Sequence, residues 1–114
     1  MDASTDPLYR MKAEVARSLA HPIRLAILDV LRDGEKCVCD IAREVGSERS
    51  NVSRHLSVMV RAGVLSSRKD GLQVFYAIRC PCILQFFSCV EQVLRQQLAE
   101  TAAALSSPLS SGEG

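Results

Sequence analysis

Tryptophan is missing, and three phenylalanines and two tyrosines are the only aromatic residues, so any core must be built from aliphatic side chains. Long apolar runs are missing too. No stretch approaches the roughly 20 residues needed to span a bilayer, and the first fifteen positions (MDASTDPLYRMKAEV) lack the apolar segment of a secretory signal, which predicts a cytoplasmic protein with no membrane partner. Charge of one sign is also scarce: 14 basic residues face 13 acidic ones, for a net charge of +1. Overall charge therefore singles out no partner. The 114 residues suffice for one domain, so a multi-step enzyme with a second domain is not expected. Hydrophobic residues at 47% and charged residues at 24% describe a globular chain, small enough that dimerisation would help bury its apolar surface.

Cysteine and local charge stand out against this background. Five cysteines, an odd number, in a chain without an export signal argue against a disulfide scaffold and for reduced thiols acting as metal ligands or redox sensors. The charge is uneven. Between Arg43 and Lys69 six cations meet two anions, so this segment is locally basic while the remainder is slightly acidic.

The order of elements follows from periodicity and breakers. Residues 1–8 are expected to be flexible, and the Ser-, Gly- and Pro-rich stretch 105–114 to form a disordered tail. A winged domain with a terminal dimerisation helix is expected to occupy 9–104. Met11, Val15 and Leu19 mark an amphipathic helix from about Tyr9 to Ala20, interrupted at His21-Pro22. Ile23, Ile27, Leu28 and Leu31 continue a second helix that Asp33-Gly34 ends. A short helix over Cys39 to Val45 closes at Gly46, and a longer one runs from about Glu48 to Ala62 before Gly63. Val64 to Ser67 and Leu72 to Ile78 read as two strands around the Asp70-Gly71 hairpin signal. From about residue 81 to 104 a last helix carries the stripe Ile83, Phe87, Val90, Leu94 and Leu98, widened by Phe86 and Val93 beyond what one small core needs.

Two helices across a glycine turn, the second polar at its start and followed by a hairpin, describe a mainly α fold with a β-hairpin wing: a winged helix-turn-helix. In such a fold the second helix enters the major groove of double-stranded DNA with its N-terminal residues at base edges. Arg54 and Asn51 are the expected base readers. Ser50, Ser53 and Arg49 suit phosphate or bases, His55 is a further candidate, and Arg68, Lys69 and Gln73 would carry the wing to backbone or minor groove. One copy covers a half-site, so a homodimer joined through the last helix is expected.

EKCVCDIAREVG, followed by SERSNVSRHLSVMVRAGVL and KDGLQVFYAIR, resembles the ArsR/SmtB family of winged-helix metal-sensing repressors over about Ala13 to Leu98, and HPIRLAILDVL fits as well. That resemblance implies a non-enzymatic homodimeric repressor that binds operator DNA without a cofactor and is released when an inducing ion binds. It also implies that Cys37-Val38-Cys39-Asp40 is a thiolate site for As(III) or Sb(III), or alternatively for Cd(II), Pb(II) or Zn(II). There are departures. A third cysteine three residues after the second is often present in the arsenite-type motif, but Ala42 stands there; no cysteine precedes Cys37; and neither His21 nor His55 lies on the last helix.

The remaining thiols are Cys80, Cys82 and Cys89, and geometry limits their combinations. Cys82 and Cys89 on one straight helix would stand about 10 Å apart along its axis, too far to share an ion. Cys37 and Cys39 can converge only if Cys37 precedes the regular helix, because positions two apart face opposite sides. Three arrangements stay open: the Cys37/Cys39 pair completed by Cys80 or Cys82 of the same or partner chain, a separate site of Cys80, Cys82 and a repositioned Cys89, and no metal. A thiol sensor of oxidants or reactive sulfur is the rival of the same fold. A small arsenate reductase-like enzyme is the rival from another class, and no phosphate-cradling loop surrounds any cysteine to support it.

Overall fold

The structure is a computed structural model and describes residues 2–106. It divides into two compact units, Met1–Pro81 and Cys82–Gly114. The first contains a 3-10 turn at Ala3–Thr5, helices α1 (Pro7–Leu19) and α2 (Pro22–Val30), strand β1 (Lys36–Cys37), helices α3 (Val38–Val45) and α4 (Arg49–Arg61), and strands β2 (Leu65–Asp70) and β3 (Gln73–Ile78). The second contains helix α5 (Cys82–Ser106). Among the described residues no helix is long and apolar enough to cross a membrane.

Capping residues set most boundaries. Asp6 accepts a hydrogen bond from the Leu8 amide at 2.8 Å, and Pro7 sits at the first helical position, so α1 begins two residues before the expected Tyr9. Asp2 likewise caps the 3-10 turn at Ala3–Thr5. At α2 the cap is unusual: His21 Nδ1 accepts from the Ile23 amide at 3.1 Å, ahead of Pro22. The helix ends at Val30 rather than running on to Asp33, with turns filling the interval before Gly34. Gly46 adopts a left-handed φ of 72° and returns its amide to the Ala42 carbonyl, closing α3 and opening the turn into α4.

The expected hairpin is part of a larger sheet. Lys36 and Cys37 form a third strand that pairs antiparallel with β3, giving the order β1-β3-β2, with Cys37 opposite Phe75 and Lys36 opposite Tyr76. Two residues are too few for periodicity to reveal. The wing turn is also shifted by one residue: Asp70 pairs with Gln73, so Gly71 and Leu72 form the loop, and β2 runs to Asp70 instead of stopping at Ser67. Gly71 alone there has positive φ, at 64°, as in tight hairpins with glycine at the first central position.

The core is aliphatic, as the composition requires. Ile27, Leu28 and Leu31 near the end of α2, Val38, Ile41 and Ala42 of α3, Val52, Leu56 and Met59 of α4, and Leu65 of β2 are all buried. The α4 positions recur at intervals of four and three, so one face of that helix is fixed in the core and the other turned outward. In the second unit no α5 residue is buried, and Phe86, Val90, Val93, Leu94 and Leu98 are exposed on it. Leu105 and Ser106 belong to α5 and not to the expected tail; 107–114 lie outside the described residues.

Candidate nucleic-acid interface

The start of α4 presents unsatisfied donors. The first-turn amides of any α-helix lack an intrahelical partner. The Glu48 side chain that precedes this one caps none of them, so among the described residues they have no capping acceptor. Such a helix start attracts phosphate oxygens. Arg49, Ser50 and Arg54 are exposed, while Asn51 and Ser53 are half-buried.

The two expected base readers are tied together. Ser47 Oγ accepts from Asn51 Nδ2 at 2.9 Å, and Asn51 Oδ1 accepts from Arg54 Nη2 at 3.2 Å. This relay holds both side chains before any ligand arrives, which lowers the rotamer entropy lost on binding. Each amide atom keeps one further hydrogen-bonding position for a base. Sequence reasoning missed Ser47; its position just after the Gly46 cap was the available signal.

On the wing, Lys69 and Gln73 are exposed at the hairpin end. Arg68 is already engaged: its Nε lies 3.0 and 3.2 Å from the two Glu35 carboxylate oxygens, and its guanidinium sits 4.7 Å from the Phe75 ring centre. The Arg68 bond holds the Glu35 carboxyl below its ordinary pKa. Glu35 was not anticipated, because only the fold brings it across 33 positions to Arg68.

His55 looks toward α2. Its Nδ1 accepts from Arg24 Nε at 3.0 Å, and its ring centre is 4.4 Å from that of His21. Burial first, then electrostatic interaction with neighbouring His21, Arg24 and Arg54, pushes its pKa below the usual imidazole value.

The thiols occupy distinct settings. Cys37 is buried; Cys39, Cys80, Cys82 and Cys89 are exposed, and none is in a disulfide. Cys37 has extended backbone (φ −80°, ψ 161°) as the residue before α3, and Cys39 lies in the first turn, so the condition under which this pair can converge is met. Cys82 and Cys89 lie on the continuous α5, which keeps them about 10 Å apart along the axis. Among the described residues no three His, Cys, Asp or Glu side chains are gathered to hold a metal ion.

The model of the bacterial regulatory protein arsR family matches residues 21–67, from the His21 cap through the start of β2. Rv0081, an uncharacterized HTH-type transcriptional regulator of Mycobacterium tuberculosis, is 38% identical over 102 residues, 89% of this chain and 90% of that protein. The chain belongs to the ArsR family. As a member it is a winged helix-turn-helix transcriptional repressor and not an enzyme, which removes the arsenate reductase-like alternative.

Solved structures agree with this ArsR assignment. The crystal structure of Rv0081 matches with a TM-score of 0.74 over 87% of this chain and 100% of that one. The homodimeric winged helix-turn-helix DNA-binding domain of Mb0332 from Mycobacterium bovis, at 28% identity, gives 0.74 over 88% of this chain and 93% of that one. The AntR antimony-specific transcriptional repressor, at 26% identity, gives 0.72 over 87% and 90% respectively. A probable mercury resistance operon repressor of Streptomyces lividans is 32% identical over 93 residues, 82% of this chain and 71% of that protein.

Proposed function

We propose that this ArsR-family repressor binds its operator as a dimer and releases it when a soft ion, arsenite or antimonite ahead of cadmium, lead or zinc, is held by thiolates including Cys37 and Cys39. The observation that carries the proposal is the double membership of Cys37. It is the last residue of β1, opposite Phe75 of the wing strand, and the residue that leads into α3, the support of α4. Phe75 in turn stands opposite Arg68, so Cys37, Phe75 and Arg68 form one row on one face of the sheet. A ligand pulling on Cys37 therefore strains wing and reading helix together.

Thiolates suit thiophilic ions, and a trivalent metalloid is satisfied by three of them. Cys39 is exposed beside Cys37 in sequence, and the third sulfur comes from Cys80 or from the second copy. The resemblance to an antimony-specific repressor and to a probable mercury resistance operon repressor supports ions of this class. Dimerisation is supported by the homodimeric Mb0332 domain and by the exposed apolar positions of α5. In the operator complex Arg54 and Asn51 read bases, Ser50, Ser53 and Arg49 hold phosphate or bases, and Lys69, Gln73 and Arg68 bring the wing to the backbone or minor groove.

The exposure of four of the five thiols favours a second reading, an oxidant or reactive-sulfur sensor using the same coupling. Titrating reduced protein with arsenite while recording thiolate-to-metal absorption separates the two. Absorption that grows in and is lost in Cys37→Ser and Cys39→Ser supports the metal reading. No absorption, with a new intramolecular bridge by mass spectrometry after persulfide treatment, supports the other.

A further inference from the structure

The chain has two histidines, and the fold brings both together at the junction of α2 and α4. Each ring uses Nδ1 as an acceptor. His21 Nδ1 takes the Ile23 amide at 3.1 Å, and His55 Nδ1 takes Arg24 Nε at 3.0 Å. Arg24 also donates to the Ser18 carbonyl at 3.2 Å, so one guanidinium spans α1, α2 and the reading helix. We propose that His55 is a positioning residue: through it His21 and Arg24 set the orientation of α4 for operator recognition, and protonation of the ring opens that tie.

The chemistry gives the direction. A neutral imidazole with its proton on Nε2 can accept at Nδ1; an imidazolium carries protons on both nitrogens and accepts nowhere. Protonation would turn an N–H toward the Arg24 N–H, donor against donor and cation against cation. The titratable and charged groups around His55 are His21, which caps α2, Arg24 of α2 and Arg54 of α4 itself. From α1, Glu14 and Arg17 line the same cavity of about 380 Å³ as Arg24 and Arg61. Arg17 pairs with Glu14 at 2.8 Å, and no carboxylate is among the groups that act on His55. Because the folded environment resists protonation of His55, the transition in operator binding assigned to it lies on the acid side of the ordinary imidazole value.

The inference rests on operator binding through α4 and is independent of the thiol chemistry. The test is operator affinity by fluorescence anisotropy from about pH 7.5 to about pH 5.5, beside a scrambled duplex, for wild type and His55→Gln. Glutamine retains an acceptor for Arg24 and does not titrate. Wild-type operator affinity is expected to fall about tenfold on acidification while scrambled-duplex affinity does not fall, and His55→Gln to match wild type at the upper pH and stay flat. A wild-type affinity that rises on acidification, with the rise lost in His55→Gln, would make the imidazolium a direct phosphate contact and overturn the proposal. So would a wild-type profile that is flat, or a fall that persists unchanged in His55→Gln. Absence of operator binding by wild type at every pH would instead refute the interface on which the inference rests.

Discussion

Arg68 on the wing and Glu35 before β1 grip each other in the DNA-free protein, with the arginine Nε within 3.0 and 3.2 Å of the two carboxylate oxygens. On the proposed wing contact, Glu35 competes with a DNA phosphate for the same guanidinium. Glu35→Gln removes that competition and is expected to raise operator affinity roughly threefold and to steepen its salt dependence by about one unit of slope. Both partners are exposed, so thermal stability should barely move. Salt titration of binding checks this; an unchanged slope would mean Arg68 never reaches DNA.

Arg54 and Asn51 are held by the relay from Ser47, and the two ends of that relay should behave differently. Arg54→Ala is expected to cost operator binding about 1–3 kcal/mol and to relax specificity, because a base contact is lost. Ser47→Ala should cost less, about twofold to fivefold, because it only frees Asn51 to rotate. Competition anisotropy with single-base operator variants measures both.

Exposed Phe86, Val90, Val93, Leu94 and Leu98 on α5 make that helix the expected dimer surface. Leu94→Asp places a charge on the stripe and should give a monomer by sedimentation velocity, with operator affinity reduced at least about tenfold. A variant that stays dimeric would move the interface elsewhere.

Folding stability should depend on pH with a defined sign. The His55 pKa is lowered in the folded chain, mainly by burial, so below the ordinary imidazole value of about 6.5 the unfolded chain binds a proton that the folded chain resists. Stability present above that value is lost as pH falls toward the lowered folded pKa. Urea denaturation midpoints across this window should decline for wild type, and less for His55→Gln.

The helices and the wing were legible because they rest on local signals. Apolar spacing in α4, Gly46 as a cap and the turn at Gly71 each act over a few residues. What escaped was long-range or very short. β1 is two residues long and exists only through β3, and Glu35 meets Arg68 only after that pairing forms. His55 could be read as a DNA contact or as a residue stacked at the domain surface, and the partner of its Nδ1, Arg24, lies 31 positions away. The thiol pair was visible as Cys-x-Cys, whereas the burial of Cys37 and its row with Phe75 and Arg68 needed the sheet.

The central claim is that thiolate capture of a soft ion at the β1–α3 junction loosens operator binding. The most direct measurement is anisotropy of a labelled operator bound to reduced protein, titrated with arsenite, antimonite, cadmium and lead, for wild type and the Cys37→Ser, Cys39→Ser double variant. The account predicts release from wild type by at least one of these ions, with coupling of about 1–3 kcal/mol, and an unresponsive variant that still binds DNA. Operator binding unaffected by all four ions, or equal release from both proteins, would contradict it.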